Sequence, residues 1–229
     1  MRGTLEDDTL ALVLPGAVDA RRCADWARAA LEARDAWVSD FGGQQFSLGR
    51  AWYTHLEQGR TGEYFAGAEA SDTLVDATCP GLQAVMRALV ARRLEGAVAP
   101  RAGWCGPGVH VFPPEAHVSR KGGDIHFDTE GLTKAHLAAR EYAYTCVLML
   151  SPPASGGGLR LWDVTYDGSE GYEDEDLERE SETFVLAAGD AILFDSYRLH
   201  QIQPFGGEEP RVTATIHAAW VGGEWETWF

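Results

Sequence analysis

The protein has 229 residues and a net charge of −16, with 45% hydrophobic and 24% charged side chains. This composition is typical of a soluble globular protein with one large domain or two small ones. The excess of acidic side chains argues against nucleic acid as a partner, because phosphate binding requires a basic surface. No apolar run is long enough to predict a membrane span, and the start, MRGTLEDDTL, lacks signal-peptide features, so we expect a cytoplasmic protein.

The first part of the chain, 1–102, is predicted to be rich in helices. A strand is expected over 9–14, followed by a helix over 18–38 with Asp19 as its N-cap. The Gly- and Gln-rich stretch 40–50 is typical of a loop, and the apolar spacing over 80–94 predicts a second helix. Four cysteines without a CxxC pair predict neither a disulfide framework nor a thiolate metal site, so we expect them to be reduced and buried.

The second part, 103–229, has a different sequence pattern, in which short β-like runs alternate with Gly, Pro and Asp clusters. Such a pattern predicts a mainly β structure with flanking helices, arranged as a sandwich, a jelly roll or a barrel. No linker or internal repeat separates the two parts, so we expect a single domain with the helices against one face of the sheet. The predicted strands are 108–112, 124–128, 142–150, 159–164, 183–188, 191–195 and 211–220.

The segment GGDIHFDTEGL contains a histidine and an aspartate two residues apart. On a strand His126 and Asp128 share one face, while Ile125 and Phe127 point away. The pair is either a hydrogen-bonded polar pair or part of a metal site. His200, which follows another apolar strand, supplies a third ligand and completes the two-histidine, one-carboxylate set of non-haem iron(II). Three such ligands also suit zinc with a bound water.

An arginine on the last predicted strand is the fourth clue. Arg211, Thr213, Thr215 and His217 share one strand face. A half-buried arginine requires an anionic partner, for which a carboxylate is the natural choice, and Thr213 adds a hydroxyl. His217 is expected to be a satisfied core histidine rather than a ligand, and the remaining histidines to be structural or exposed: His55, His110, His117 and His136.

Five elements in this order resemble the iron(II)/2-oxoglutarate-dependent oxygenases, in particular their prolyl-4-hydroxylase-like branch. The similarity spans roughly residues 10 to 220. Its elements are HFD at 126–128, GGGLRLW at 156–162, Gly189 and Asp190 with Phe194, His200, and RVT at 211–213.

The resemblance implies a double-stranded β-helix, a cupin-like jelly roll, as the fold. It implies that His126, Asp128 and His200 bind Fe(II), and that Arg211, helped by Thr213, binds the distal carboxylate of 2-oxoglutarate. It also implies O2 as a reactant, succinate and CO2 as products, and ascorbate as an optional reductant.

Phe112 departs from the pattern of this branch, and Tyr144 is a further candidate site residue. Phe112 stands where the branch often has a tyrosine, with His110 two residues earlier. The alternation of Tyr142 and Tyr144 predicts that Tyr144 lines the barrel as a cosubstrate or substrate contact.

The segment 163–182 carries ten acidic residues against one arginine, a net −9 of the total −16. It is interpreted either as a solvated, mobile loop or as a lid that attracts a cationic substrate to the active-site mouth. In the second interpretation Trp162, Tyr166 and Tyr172 contact substrate.

These features together predict a dioxygenase that hydroxylates an amino acid or a peptide-derived small molecule, which the lid interpretation predicts to be cationic. One alternative is a peptidyl, prolyl-type hydroxylase that acts on a protein. The other is a non-catalytic, cupin-like metal-binding module, which has no need for Arg211. The sequence gives no indication of the oligomeric state.

Overall fold

The computed structural model describes residues 9–169 and 171–229. The described N-terminal part, 9–102, contains short strands and five α-helices. They are β1 (Ala11–Leu14), α1 (Ala20–Glu32), β2 (Val38–Asp40), β3 (Gln45–Leu48), α2 (Trp52–Glu57), α3 (Thr61–Ala66), α4 (Ala68–Thr78), α5 (Leu82–Ala91) and β4 (Val98–Pro100), with a 3₁₀ turn at Arg34–Ala36.

Strands dominate the rest of the chain. They are β5 (Gly108–Phe112), β6 (Ala143–Ser151), β7 (Ser155–Gly156), β8 (Leu159–Thr165), β9 (Ser181–Phe184), β10 (Ala191–Asp195), β11 (Arg198–Ile202), β12 (Phe205–Gly206), β13 (Arg211–Val221) and β14 (Glu224–Trp228). Helices α6 (His117–Lys121) and α7 (Lys134–Ala139) and a 3₁₀ turn at Asp174–Glu178 lie between them.

The strands form one large sheet and two small ones. The large sheet has nine strands, in the order β1-β10-β6-β13-β5-β3-β2, with β14 paired to β13 and β4 paired to β14. The small sheets are β11-β8-β9 and β12-β7. Every pairing is antiparallel except β14 with β4. The predicted mainly β architecture with flanking helices is therefore confirmed.

Helices α1 and α5 cover one face of the large sheet. Trp26 of α1 and Met86 of α5 share a buried core with strand residues such as Leu148 and Ile216. The Asp19 carboxylate accepts hydrogen bonds from the backbone N–H groups of Arg21 and Arg22, which confirms the predicted N-cap. The opposite face of the sheet is left free to form the wall of a cavity. Within the described ranges, no helix is long and apolar enough to cross a membrane.

Several element boundaries differ from the prediction. The first helix ends at Glu32 rather than 38, and the predicted loop 40–50 contains the turn and the second strand of the β2–β3 hairpin. Here polar side chains face inward, and the Ser47 hydroxyl donates to the Asp40 carboxylate at 2.9 Å. A turn with positive φ at Phe41, Gly42 and Gly43 connects the strands.

The segment 124–128 is not a regular strand. It makes one isolated β-bridge, in which the backbone N–H and C=O groups of His126 pair with those of His200 at 3.1 and 3.0 Å. The predicted facing still holds, because Phe127 packs into a core cluster behind the bridge. The four cysteines are free and buried, as expected.

Candidate active site

Three side chains that the sequence singled out converge between the large sheet and β11. His126 and Asp128 come from the bridged segment, and His200 comes from β11. The Asp128 carboxylate lies 3.4 Å from Nε2 of His126 and 3.6 Å from Nε2 of His200. One ligand atom from each residue lies within 4.8 Å of the others, so the three together can hold a metal ion.

Both imidazoles are oriented by backbone hydrogen bonds. Nδ1 of His126 lies 2.8 Å from the Asp124 carbonyl oxygen, and Nδ1 of His200 lies 2.9 Å from that of Arg198. A carbonyl oxygen only accepts, so each Nδ1 donates, and each neutral ring presents the lone pair of Nε2 to the Asp128 side. This arrangement is usual for metal-binding histidines, whose second nitrogen is held by an outer partner.

The charges of the three groups suit a cation. Burial alone raises the pKa of Asp128, but His200, His126 and His217 outweigh it and hold that pKa well below its usual range. Burial lowers the pKa of His200 to about 4. Burial also acts to lower the pKa of His126, but the contact with the Asp128 carboxylate outweighs burial and raises this pKa to about 9. Without a metal, the Asp128 contact therefore favours a second proton on the His126 ring, at Nε2, which has to leave before that nitrogen can bind a cation.

The Asp128 carboxylate also has a hydroxyl partner from the large sheet. Thr145 Oγ1, on β6, donates to Oδ2 of Asp128 at 2.6 Å. Thr145 Oγ1 also lies 3.0 Å from Ser196 Oγ and 3.1 Å from Nδ1 of His217. Thr145 was not predicted from the sequence as a site residue, although it lies next to Tyr144 on the same alternating strand.

Arg211 and Thr213 lie on β13, on the wall of the same cavity. The Arg211 side chain is buried, donates from Nε to the Gly157 carbonyl oxygen at 3.2 Å and lies over the ring of Phe112. Burial lowers its pKa to about 10, which leaves it cationic at neutral pH. Within the described part of the chain, no carboxylate lies within ion-pair distance of it, so its charge is available to an anion that enters the cavity.

The alternation on β13 is as predicted, whereas the prediction for Tyr144 is wrong. Thr215 and His217 line the cavity together with Arg211 and Thr213. Tyr144 lies on the helix-covered face, where it is buried against Trp225. Because both faces of β6 are apolar, the sequence did not indicate which face lines the cavity.

The cavity has a volume of about 370 Å³ and extends from β13 past the triad to the surface. Its inner walls combine the polar side chains of β13 with a broad apolar surface, and His110 lies among the polar groups there. Burial lowers the pKa of His110 to about 3, so this ring is neutral. His110, which was expected to be structural or exposed, is buried and lines the cavity. The apolar lining includes Phe112, Val147, Leu159, Leu186, Ile192 and Phe194.

Except for Asp124, which lies in the predicted strand 124–128, the mouth of the cavity comes from elements that the sequence did not reveal. Phe41 of the β2–β3 turn, Tyr53 and Glu57 of α2, and Asp124 line it, with His117 of α6. Partial burial and the Asp124 carboxylate raise the pKa of Glu57, against the effect of His126. Among the described lining residues there is no lysine, and Arg211 is the one arginine.

The acidic segment does not form the lid of the second interpretation. None of its described residues lines this cavity. Trp162 and Tyr166 are buried in the cluster behind the triad, and the Trp162 indole donates to the Leu177 carbonyl oxygen at 3.3 Å. Tyr172 is exposed and also lies outside the cavity lining. The segment therefore packs onto the outer side of the small sheet.

No protein-family model matches the sequence, and no curated protein matches it either. Solved structures with a similar fold include the epimerase SnoN in complex with Fe3+, alpha ketoglutarate and nogalamycin RO. It is 16% identical, with a TM-score of 0.54, and the match covers 91% of this chain and 78% of that one. An N-substituted L-amino acid dioxygenase from Burkholderia ambifaria is 15% identical, with a TM-score of 0.60 and coverage of 97% and 87%.

A third similar structure is a 2OG-Fe(II) oxygenase family oxidoreductase from Burkholderia pseudomallei. It is 14% identical, with a TM-score of 0.54, and the match covers 95% of this chain and 87% of that one. The protein therefore has the jelly-roll fold of these oxygenases, as its sequence predicts. The comparison does not single out the prolyl-4-hydroxylase-like branch, which stays a prediction.

Proposed function

We propose that the protein is an Fe(II)- and 2-oxoglutarate-dependent dioxygenase. The observation that carries the proposal is the pairing, in one cavity, of a His126, Asp128 and His200 cluster with an arginine that has no acidic partner among the described residues. Two neutral imidazoles and one carboxylate are the donors of the non-haem iron facial triad. The donor set present fits iron(II).

The metal site and the inner end of the cavity have distinct roles in this proposal. His126, Asp128 and His200 hold the metal, and Arg211 binds the distal carboxylate of 2-oxoglutarate, with Thr213 beside it. Iron, 2-oxoglutarate and O2 supply the oxidising chemistry, which yields succinate and CO2. The apolar walls exclude water and leave the Arg211 charge poorly screened, which strengthens its attraction for a carboxylate.

The proposed substrate is a small molecule, an amino acid or peptide derivative that is hydroxylated. A cavity of about 370 Å³ suits 2-oxoglutarate and a compact second molecule, which favours this over a folded protein as substrate. Glu57 and Asp124 at the mouth, beside the ring of Tyr53, favour a substrate with an ammonium group. The fold also hosts an epimerase and an amino acid dioxygenase, so it does not by itself define the outcome.

The alternative is a metal-binding module without catalysis. It differs from the proposal at Arg211, because a module that only binds metal has no use for a buried cation facing the cavity.

The proposal is tested by measuring succinate formation from 2-oxoglutarate with Fe(II), O2 and ascorbate. We expect slow turnover without substrate, stimulated by amino acids and their derivatives, and none in the His126→Ala protein. The matched control is His55→Ala, which changes a buried histidine outside the cavity lining. Wild-type protein that is folded and iron-loaded, but forms no succinate under any of these conditions, would refute the proposal.

A further inference from the structure

The Thr145 hydroxyl lies at the centre of a buried polar cluster next to the candidate metal ligands. Thr145 is 1% exposed and belongs to β6, which is paired on both sides by β10 and β13. Its oxygen lies 2.6 Å from Asp128 Oδ2, 3.0 Å from Ser196 Oγ and 3.1 Å from Nδ1 of His217. All three distances fit hydrogen bonds, and three is the number that one hydroxyl can make.

Hydrogen-bond accounting fixes the direction of each contact. A hydroxyl has one proton to donate and two lone pairs with which to accept. An ionised carboxylate only accepts, so the Thr145 proton goes to Asp128. Thr145 must then accept from both remaining partners, which requires that Ser196 donates its hydroxyl proton and that His217 carries a proton on Nδ1.

We propose that Thr145 is a positioning residue that orients the Asp128 carboxylate for metal binding, and that His217 and Ser196 fix the direction of its hydrogen bond. The inference rests on the metal site of the proposed function and not on its 2-oxoglutarate chemistry. The Nδ1–H tautomer of His217 is part of the proposal.

The surroundings leave the carboxylate few other restraints. The backbone N–H of Asp128 donates to the Ser196 carbonyl oxygen at 2.9 Å, which holds the main chain of a segment that has no regular strand pairing. Rotation of the side chain about Cβ–Cγ is opposed by Thr145, which belongs to the middle of the rigid large sheet. Partners of this kind fix the orientation of ligating carboxylates, and their loss typically lowers metal affinity about 10- to 100-fold.

The first test measures Co(II) affinity and the Co(II) absorption spectrum under anaerobic conditions. The Thr145→Val variant keeps the shape of the side chain but loses the hydroxyl, and Thr145→Ser keeps the hydroxyl. The matched control is Thr227→Val, which removes another buried hydroxyl, one that donates to the Ala99 carbonyl oxygen. We expect about 10- to 100-fold weaker Co(II) binding and an altered spectrum in Thr145→Val alone, with rescue in Thr145→Ser.

Wild-type affinity and spectrum in Thr145→Val would overturn the proposal. So would equal losses in Thr227→Val, since they would show a general effect of removing a buried hydroxyl. Retained Thr145-dependent Co(II) binding in a protein that forms no succinate would refute the proposed function and leave this inference standing.

A second measurement needs no variant and covers the case in which Thr145→Val does not fold. The ¹⁵N chemical shifts of His217 in the wild-type protein show which ring nitrogen carries the proton when the ring is neutral. We expect Nδ1 to be protonated and Nε2 to be bare. The opposite tautomer would overturn the proposal, because His217 would then take the Thr145 proton and Asp128 would lose it.

Discussion

The inner end of the cavity and its mouth are built in different ways. The inner end consists of regular strands, and its polar side chains are almost inaccessible, with Arg211 and Thr213 each 2% exposed. The mouth consists of a tight turn and a short helix, and there Phe41 is 36% exposed and has a positive φ. The rigid inner end suits 2-oxoglutarate, the proposed cosubstrate. The mouth suits the second substrate, whose chemistry differs between enzymes of similar fold. The two ends should therefore respond differently to substitution.

The largest expected effect concerns the metal, on which both ends depend. Asp128→Ala removes the one anionic ligand, so we expect loss of iron binding and of turnover. The apo fold should persist, because the side chain packs no core. Metal titration, succinate assays and circular dichroism check this result. Retention of metal affinity in Asp128→Ala would remove Asp128 from the ligand set.

Next in size is the effect at the inner end. Arg211→Gln removes a buried charge that a carboxylate meets directly, and such losses cost about 3 kcal/mol, a factor of about 100. We expect the 2-oxoglutarate requirement to rise by about that factor, with a smaller change in kcat.

The matched control for the inner end is Arg160→Gln. This arginine of β8 contacts Ser181 and Trp162 outside the cavity lining. Equal 2-oxoglutarate dependence in the two variants would contradict the role of Arg211.

A pH effect of intermediate size should come from the metal ligands. The contact with Asp128 raises the pKa of His126 to about 9, so a proton must leave before the ring can bind a metal. Metal affinity should therefore rise with pH, by about tenfold per unit below that pKa. Zn(II) titrations at pH 6, 7 and 8 measure the slope, and a flat profile would show that His126 is already neutral.

The smallest expected effect is at the mouth. Glu57→Gln removes an exposed charge, and contacts of exposed charges are weak, so KM for an amino-bearing substrate should rise only about threefold. The 2-oxoglutarate requirement should not change. Glu63→Gln, an exposed glutamate on α3, serves as the control. A Glu57 variant that alters 2-oxoglutarate dependence would show that the two ends are not separate.

The same contrast explains what the sequence could reveal. The triad and Arg211 could be found because they occupy fixed positions on or beside strands, where alternation determines which way they point. Phe41, Tyr53 and Glu57 could not be found, because the turn and helix that carry them have no periodic apolar pattern. Their place depends on how the N-terminal part packs onto the sheet.

Tyr144 and the acidic segment show two further limits. Alternation on β6 separates Tyr144 from Thr145 correctly, but both faces of the strand are buried, so polarity does not tell which one faces the cavity. The charge of 163–182 was open to interpretation as a lid because charge patterns carry no information about position. Trp162, which precedes the segment, and Tyr166 within it anchor it behind the small sheet instead.

The most direct test of the central claim is anaerobic titration of the Fe(II)-loaded protein with 2-oxoglutarate, followed by visible absorption. We expect the weak charge-transfer band of the iron–2-oxoglutarate chelate to appear, to be absent in Asp128→Ala, and to need far more 2-oxoglutarate in Arg211→Gln. Absence of the band in folded, iron-loaded wild-type protein would contradict the account and favour a metal-binding module without catalysis.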